Sequence, residues 1–318
     1  MHKGVIFLAG PTASGKSSAA IALAQHLEDV GGGVIINADS MQVYRELQII
    51  TARPDAEEEK QAPHRLYGVL SGTERCSVAR WRDMAVAEID KAHSQGRWPI
   101  LVGGTGLYFK VLEEGIAEVP DIPHQVLADV SDRHAALGPE AFYAELQEHD
   151  PEGATRIRPT DRQRVLRAAA VLAATGKTLG AWQAAGNRVG GLDKPLVRMA
   201  LLPPRDVLYA RCDARAAEMF ASGAQDEVRA LLEMELDPGL PIMKAVGVPE
   251  IVRFQRGEAD LETALAEAQQ ATRRYAKRQT TWIRNQMKDW KIIAEQDSER
   301  MLPEIFSFIR QNVLTEKS

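Results

Sequence analysis

The sequence predicts an α/β fold: a parallel sheet with helices on both faces, interrupted by a helical insertion domain. Three observations carry that prediction. Short apolar runs alternate with stretches of helical periodicity. A glycine-rich segment, Gly10–Ser17, lies between the first apolar run and the first helical stretch. The stretch from Pro123 to Lys194 offers Ala- and Arg-rich helical segments and no convincing strand, and is too long for a simple crossover.

Taken in order, Gly4–Ala9 (GVIFLA) reads as a buried strand and Ser17–Glu28 as a helix broken by Gly31–Gly33. Val34–Asn37 is a second strand, running out to Asp39, and Asp55–His64 is polar and loop-like. Ser77 can cap a helix reaching Gly96, with Val78, Trp81, Ala85 and Ile89 on one stripe. Pro99–Val102 and Met199–Leu202 are the third and fourth strands. The insertion is entered near Val119-Pro120 and left near Gly190-Gly191 and Pro195. This sets a helical domain at 119–195, between core segments 1–118 and 196–318. From Asp206 the chain is mostly helical, with Leu261–Lys288 one long helix.

Composition excludes several classes. Of 318 residues, 45% are apolar and 26% charged, which is ordinary for a globular chain and unlike a disordered or collagenous one. No run reaches the roughly 20 apolar residues of a spanning helix, and the N-terminus leads straight into the first strand. Two cysteines, Cys76 and Cys212, make neither a zinc site nor a disulfide framework. The expectation is a reduced cytoplasmic protein without membrane contact, monomeric by default.

Charge is concentrated. The net charge is −5, yet Arg156–Arg167 holds five Arg against one Asp, and Arg273–Lys291 holds seven Lys/Arg against one Asp. An acidic protein with two basic segments suggests a polyanionic partner; the competing reading is two solvated helix faces. Lys277, Arg284, Lys288 and Lys291 share one helical stripe, with Tyr275, Trp282 and Trp290 interleaved. Arg binds phosphate and aromatics stack on splayed bases, although the tryptophans would serve equally as core.

Gly10-Pro11-Thr12-Ala13-Ser14-Gly15-Lys16-Ser17 fits G-x-x-x-x-G-K-[ST], between a strand and a helix. The glycines let backbone N–H groups ring a phosphate at the positive end of a helix. Lys16 supplies a cation for the outer oxygens and Ser17 a hydroxyl for Mg²⁺. The expected core is therefore a P-loop nucleoside-triphosphate-hydrolase-like sheet. Such a loop reads phosphate oxygens and no base, so it does not establish ATP. ATPase motors carry an apolar strand ending in an Mg²⁺-holding Asp, whereas Pro99–Val102 runs into Gly103-Gly104-Thr105. The apolar strand that does end in Asp delivers Asp39 to the ligand edge of the sheet, as an acceptor-side residue. The bland alternative for Asp39 is a helix cap shared with Ser40.

Several separated segments, in order, resemble tRNA dimethylallyltransferases: Gly10–Ser17, Asp39–Tyr44 (DSMQVY), Thr51–Pro54 (TARP), Pro63-His64-Arg65, Val102–Lys110 (VGGTGLYFK), Asp161–Arg167 (DRQRVLR), Ala221–Leu231 (ASGAQDEVRAL) and Lys277–Arg284 (KRQTTWIR). The resemblance runs from the first strand to about Trp290. It implies transfer of a dimethylallyl group from dimethylallyl diphosphate to N6 of adenine 37, just 3′ of the anticodon, with Mg²⁺ assisting departure of diphosphate. The phosphate loop would then hold the prenyl donor rather than ATP. By the same resemblance, Lys16, Asp39, Thr105 and Arg215 are catalytic. Asp39 acts as general base, Thr105 orients the diphosphate or the amine, and Arg215 neutralises the leaving group. The tRNA anticodon stem-loop would meet Asp39, Ser40, Met41, Gln42 and Thr105; then Gln163, Arg164, Val165, Leu166 and Arg167; then Lys277, Arg278, Gln279, Thr280, Thr281, Trp282, Ile283 and Arg284.

The sequence departs from the family pattern in three places, four residues in all. Ser17 replaces a threonine and keeps the hydroxyl. Val248-Pro249 stand where an aromatic and an arginine are usual, and Leu127 where an arginine is common. Competing readings are a P-loop small-molecule kinase, a prenyltransferase for free adenine nucleotides and a non-enzymatic RNA-binding module. The first two leave the basic helix without a use, and the third leaves the phosphate loop and Asp39 unexplained.

Overall fold

The structure is a computed structural model and describes residues 4–186, 188–295 and 298–314. Its strands are β1 (Val5–Ala9), β2 (Gly33–Asn37), β3 (His64–Arg65), β4 (Trp98–Gly103), β5 (Ile116–Ala117), β6 (Arg188–Val189), β7 (Leu196–Leu201) and β8 (Lys291–Ile293). Its α-helices are α1 (Lys16–His26), α2 (Ala56–Gln61), α3 (Val78–Ser94), α4 (Gly106–Glu114), α5 (His124–Leu137), α6 (Pro139–His149), α7 (Pro151–Thr155), α8 (Arg162–Thr175), α9 (Leu179–Ala184), α10 (Arg205–Ala221), α11 (Ala224–Glu233), α12 (Val248–Gln255), α13 (Leu261–Gln286) and α14 (Ser298–Ile309).

Two compact units form. The first joins Met1–Glu113 to Leu192–Ser318; the second is Glu114–Gly191. The first holds a six-stranded sheet in the order β3-β2-β4-β1-β7-β8, parallel throughout. Strands β1, β2 and β4 are buried along their whole length, as continuous apolar runs in a sheet covered on both faces must be. One face packs Phe7, Ile36 and Leu101 against Trp81, Ala85 and Ile89 of α3. The other packs Ile6, Leu8 and Ile100 against Ala20, Leu23 and Ala24 of α1 and Ile305 of α14. Ser77 caps α3 as expected, its hydroxyl accepting from the Arg80 N–H.

Differences from the sequence reading have local causes. Strands β3 and β8 were not expected, because two and three residues give no period to read. Helix α2 replaces the expected loop: Asp55 and Glu58 form a capping box around a helix with no buried residue. Helix α13 stops at Gln286, so Lys288 and Lys291 leave the basic stripe; Lys291 lies in β8, 2.7 Å from Glu304. Trp290 is core, packed on Phe7 and Phe109.

The second unit contains α5 to α9 and the antiparallel pair β5-β6. Its core brings Val130, Phe142, Leu146, Val165 and Ala168 together. Among the described residues no helix is long and apolar enough to cross a membrane.

Candidate active site

Sheet order places the chemistry. Strand β4 lies between β1 and β2, so the loop after β4 lies between the phosphate loop after β1 and the Asp39 turn after β2. Backbone bonds stitch the three together at the C-terminal edge of the sheet: Gly10 N to Gly103 O at 3.2 Å, Ala38 N to Val102 O at 2.8 Å, and Thr105 N to Ala38 O at 3.2 Å. A Cβ on Gly103 would sit 2.0 Å from the Ala38 carbonyl oxygen, so only glycine permits this approach.

In the phosphate loop, Ala13 and Gly15 have positive φ (62° and 86°), which bends the loop into the start of α1. Ser14 is 3% exposed, and its hydroxyl has no hydrogen-bond partner among the described residues. The Lys16 side chain is half-buried by area, yet its ammonium is enclosed and donates to the Pro11 carbonyl at 3.2 Å. Desolvation lowers its pKa to about 8; Asp39 raises it and Arg215 lowers it further. Arg215, on α10, donates to the Thr12 hydroxyl. Burial lowers its pKa too, with Cys212 and Asp39 opposing. No ion pair of Lys16 or Arg215 with a carboxylate occurs among the described residues. Two desolvated cations beside the N-terminus of α1 form a site for an anion.

Opposite lies Asp39, half-buried, its Oδ1 accepting from the Met41 N–H at 2.9 Å. This is an Asx turn, and no helix starts here, so the cap reading is set aside. Asn37 aims it. Fully buried at the end of β2, Asn37 accepts from the Asp39 N–H at 2.8 Å and donates to the Asp39 and Leu66 carbonyls. Sequence reasoning passed over Asn37, although a lone polar residue closing an apolar strand was the available signal. Thr105 stands between the two sides, its hydroxyl accepting from the Ser40 N–H at 3.0 Å. Desolvation and the nearby Asp39 charge both hold the Tyr67 and Tyr275 hydroxyls well above the ordinary tyrosine range.

No group of three or more His, Cys, Asp or Glu placed to hold a metal occurs among the described residues. Ser17 offers its hydroxyl from an exposed position in the first turn of α1. One protein hydroxyl beside an anion cradle suits an ion held mainly by water and substrate phosphate oxygens, the habit of Mg²⁺.

Comparison with known proteins gives the arrangement a family. The model of the IPP transferase family matches residues 42–286. The chain belongs to the IPP transferase family. It is similar to the tRNA dimethylallyltransferase of Rhodospirillum centenum, with 52% identity over 283 residues and 89% of each chain covered. Among solved structures it is similar to the full-length tRNA isopentenylpyrophosphate transferase of Bacillus halodurans, with 32% identity, a TM-score of 0.70, and 98% of this chain and 96% of that one covered. It is also similar to a eukaryotic dimethylallyltransferase acting on tRNA, with 26% identity, a TM-score of 0.81, and 99% and 81% covered. These neighbours share the P-loop-like α/β architecture expected from the sequence.

The remaining residues singled out by the family resemblance divide by exposure. Ser40, Met41 and Gln42 sit on the Asp39 turn, where Gln42 Nε2 donates to the Thr51 and Ala52 carbonyls. On α13, Lys277, Arg278, Thr281 and Arg284 are exposed; Arg278 lies over the Tyr275 ring at 5.5 Å. Arg274, Lys277, Arg278, Thr281 and Trp282 line an open groove of about 500 Å³. Gln279 and Ile283, expected among the RNA contacts, are buried and do not line this groove. Thr280 is half-buried with an enclosed hydroxyl. In the second unit, Gln163, Arg164 and Arg167 are exposed on α8, whereas Val165 is 1% exposed and Leu166 packs against the same core. Helical spacing turns Val165 inward, onto the core of this unit. Leu127 is exposed and apolar, so it brings no charge to α5. Val248, buried at the start of α12, and Pro249 after it form a helix start behind Gly247 instead of an outward aromatic and arginine.

Proposed function

We propose that this chain is a tRNA dimethylallyltransferase, moving a dimethylallyl group from dimethylallyl diphosphate to N6 of the adenine just 3′ of the anticodon. One observation carries the reading. An anion cradle with two desolvated, unpaired cations lies across Thr105 from a carboxylate held by its own turn. The first half suits a diphosphate and the second a weakly acidic N–H.

The exocyclic amine is a poor nucleophile because its lone pair is delocalised. Asp39 accepts a proton from N6 as nitrogen bonds to the allylic carbon, a contribution of about 10²–10⁴-fold. The carbon–oxygen bond breaks and diphosphate leaves with the electron pair. Lys16, Arg215 and the loop N–H groups meet the charge that grows on it, which is where such groups lower a barrier most. The Thr105 hydroxyl, oriented by the Ser40 N–H, stands between donor and acceptor. Ser17 would hold Mg²⁺, which supplies further neutralisation of the diphosphate. The base must leave its stack to reach Asp39, and the exposed cations of α13 suit RNA phosphates. A monomer suffices for this chemistry, since donor and acceptor groups lie in one unit.

The test is an incubation with bulk tRNA and either dimethylallyl diphosphate labelled in its prenyl group or γ-labelled ATP. Label should enter tRNA from the prenyl donor alone. Phosphate transfer from ATP with no prenyl incorporation would overturn the reading in favour of a kinase.

A further inference from the structure

Gln279 lies in the C-terminal third of α13, among residues of its basic segment, yet it is 5% exposed and turned inward. Its amide is used at both ends. Oε1 accepts from the Thr12 N–H at 2.8 Å, and Nε2 donates to the Gly104 carbonyl at 3.1 Å. Thr12 belongs to the phosphate loop and bears the hydroxyl that Arg215 contacts. Gly104 precedes Thr105, whose hydroxyl receives the Ser40 N–H beside Asp39. The fit is close: a Cβ on Gly104 would lie 2.0 Å from Gln279 Nε2, and one on Gly106 would lie 2.0 Å from Trp282.

We infer that Gln279 is a positioning residue that fixes the distance between the donor side and the acceptor side of the site. The inference rests on the transferase reading. A carboxamide presents an acceptor and a donor on two atoms of one rigid plane, and a glutamine stem reaches both loops from the helix. Without it the Thr12 turn and the Gly104–Thr105 turn keep their own strands but lose the strut between them. The cost falls on the geometry of attack, where a shift of about 1 Å is worth about 10²-fold. Each substrate still has its own contacts.

Gln279→Met keeps the length and volume and removes both bonds; Gln279→Asn keeps the amide on a stem too short to span. For each, four quantities are measured: affinity for inorganic diphosphate, affinity for an anticodon stem-loop, the single-turnover rate with both substrates saturating, and amide exchange at Thr12. The expected result for Gln279→Met is a saturated rate lower by about 10²-fold, both affinities within about threefold of wild type, and faster exchange at Thr12. Gln279→Asn should lie between Met and wild type, and it decides by the same criteria if the Met variant does not fold. A wild-type saturated rate in either folded variant overturns the inference, as does a rate loss matched by equal losses in both affinities. Unchanged exchange at Thr12 overturns it even in a preparation that transfers nothing. Absence of transfer by the wild type, by contrast, counts against the transferase reading.

Discussion

Lys16 carries its charge at a cost, since burial beneath the loop brings its pKa to about 8. As pH rises through about 8 the free protein loses this proton, so affinity for inorganic diphosphate should fall there, and binding above that pH should take up a proton. Titration calorimetry in buffers of different ionisation enthalpy measures both, and Lys16→Met should abolish the uptake. The same shift gives a stability sign. Between about 8 and the unfolded lysine value near 10.4 the unfolded chain holds more protons, so this group's contribution to stability rises with pH across that window. Asp39 is the other decisive side chain. Asp39→Asn retains an acceptor for the Met41 N–H but cannot take a proton. Its single-turnover transfer rate should drop by about 10²–10⁴, with RNA affinity changed at most a few-fold because phosphate contacts dominate it. Near-native transfer would move the proton acceptor elsewhere.

At the scale of elements, α13 has two faces with different work. Its outer face presents Lys277, Arg278 and Arg284, while Ala276, Gln279 and Ile283 are buried. Neutralising Arg278 and Arg284 together should reduce the slope of log affinity against log salt by about 1.5, from roughly 0.7–0.9 per lost phosphate contact. Diphosphate affinity should not change. An unchanged slope would make the outer face a solvated surface. The inner face is set by the glycines after β4. Gly104→Ala drives a methyl into Gln279, and overpacking of this kind costs about 1–3 kcal/mol. Thermal unfolding should show that loss, whereas Gly176→Ala, with nothing within 4 Å of its Cβ, should show only the backbone penalty of its positive φ.

Across the whole molecule, the sheet was legible where strands are long and buried on both faces. Val5–Ala9, Gly33–Asn37 and Trp98–Gly103 announce themselves as apolar runs, and the phosphate loop by its glycines and Lys16. His64–Arg65 and Lys291–Ile293 are too short to carry a pattern, and they join the sheet only because β2 and β7 offer them an edge. Helix α2 was hidden by its uniform polarity, although Asp55 and Glu58 had the spacing of a capping box. At the site, Lys16 and Asp39 could be picked out by type and motif, Thr105 and Arg215 only by the family resemblance. The roles of Asn37 and Gln279 could not, because each depends on partners brought near by folding: Leu66 for one, Thr12 and Gly104 for the other. The central claim is that the cradle and the carboxylate are two halves of one prenyl-transfer site. Position-resolved mass spectrometry of tRNA after incubation with the protein, dimethylallyl diphosphate and Mg²⁺ tests it most directly. The account predicts a single dimethylallyl group on N6 of the adenine 3′ of the anticodon, absent with Asp39→Asn at short times. Unmodified tRNA, or a prenyl group carried on free adenine nucleotides but not on tRNA, would contradict it.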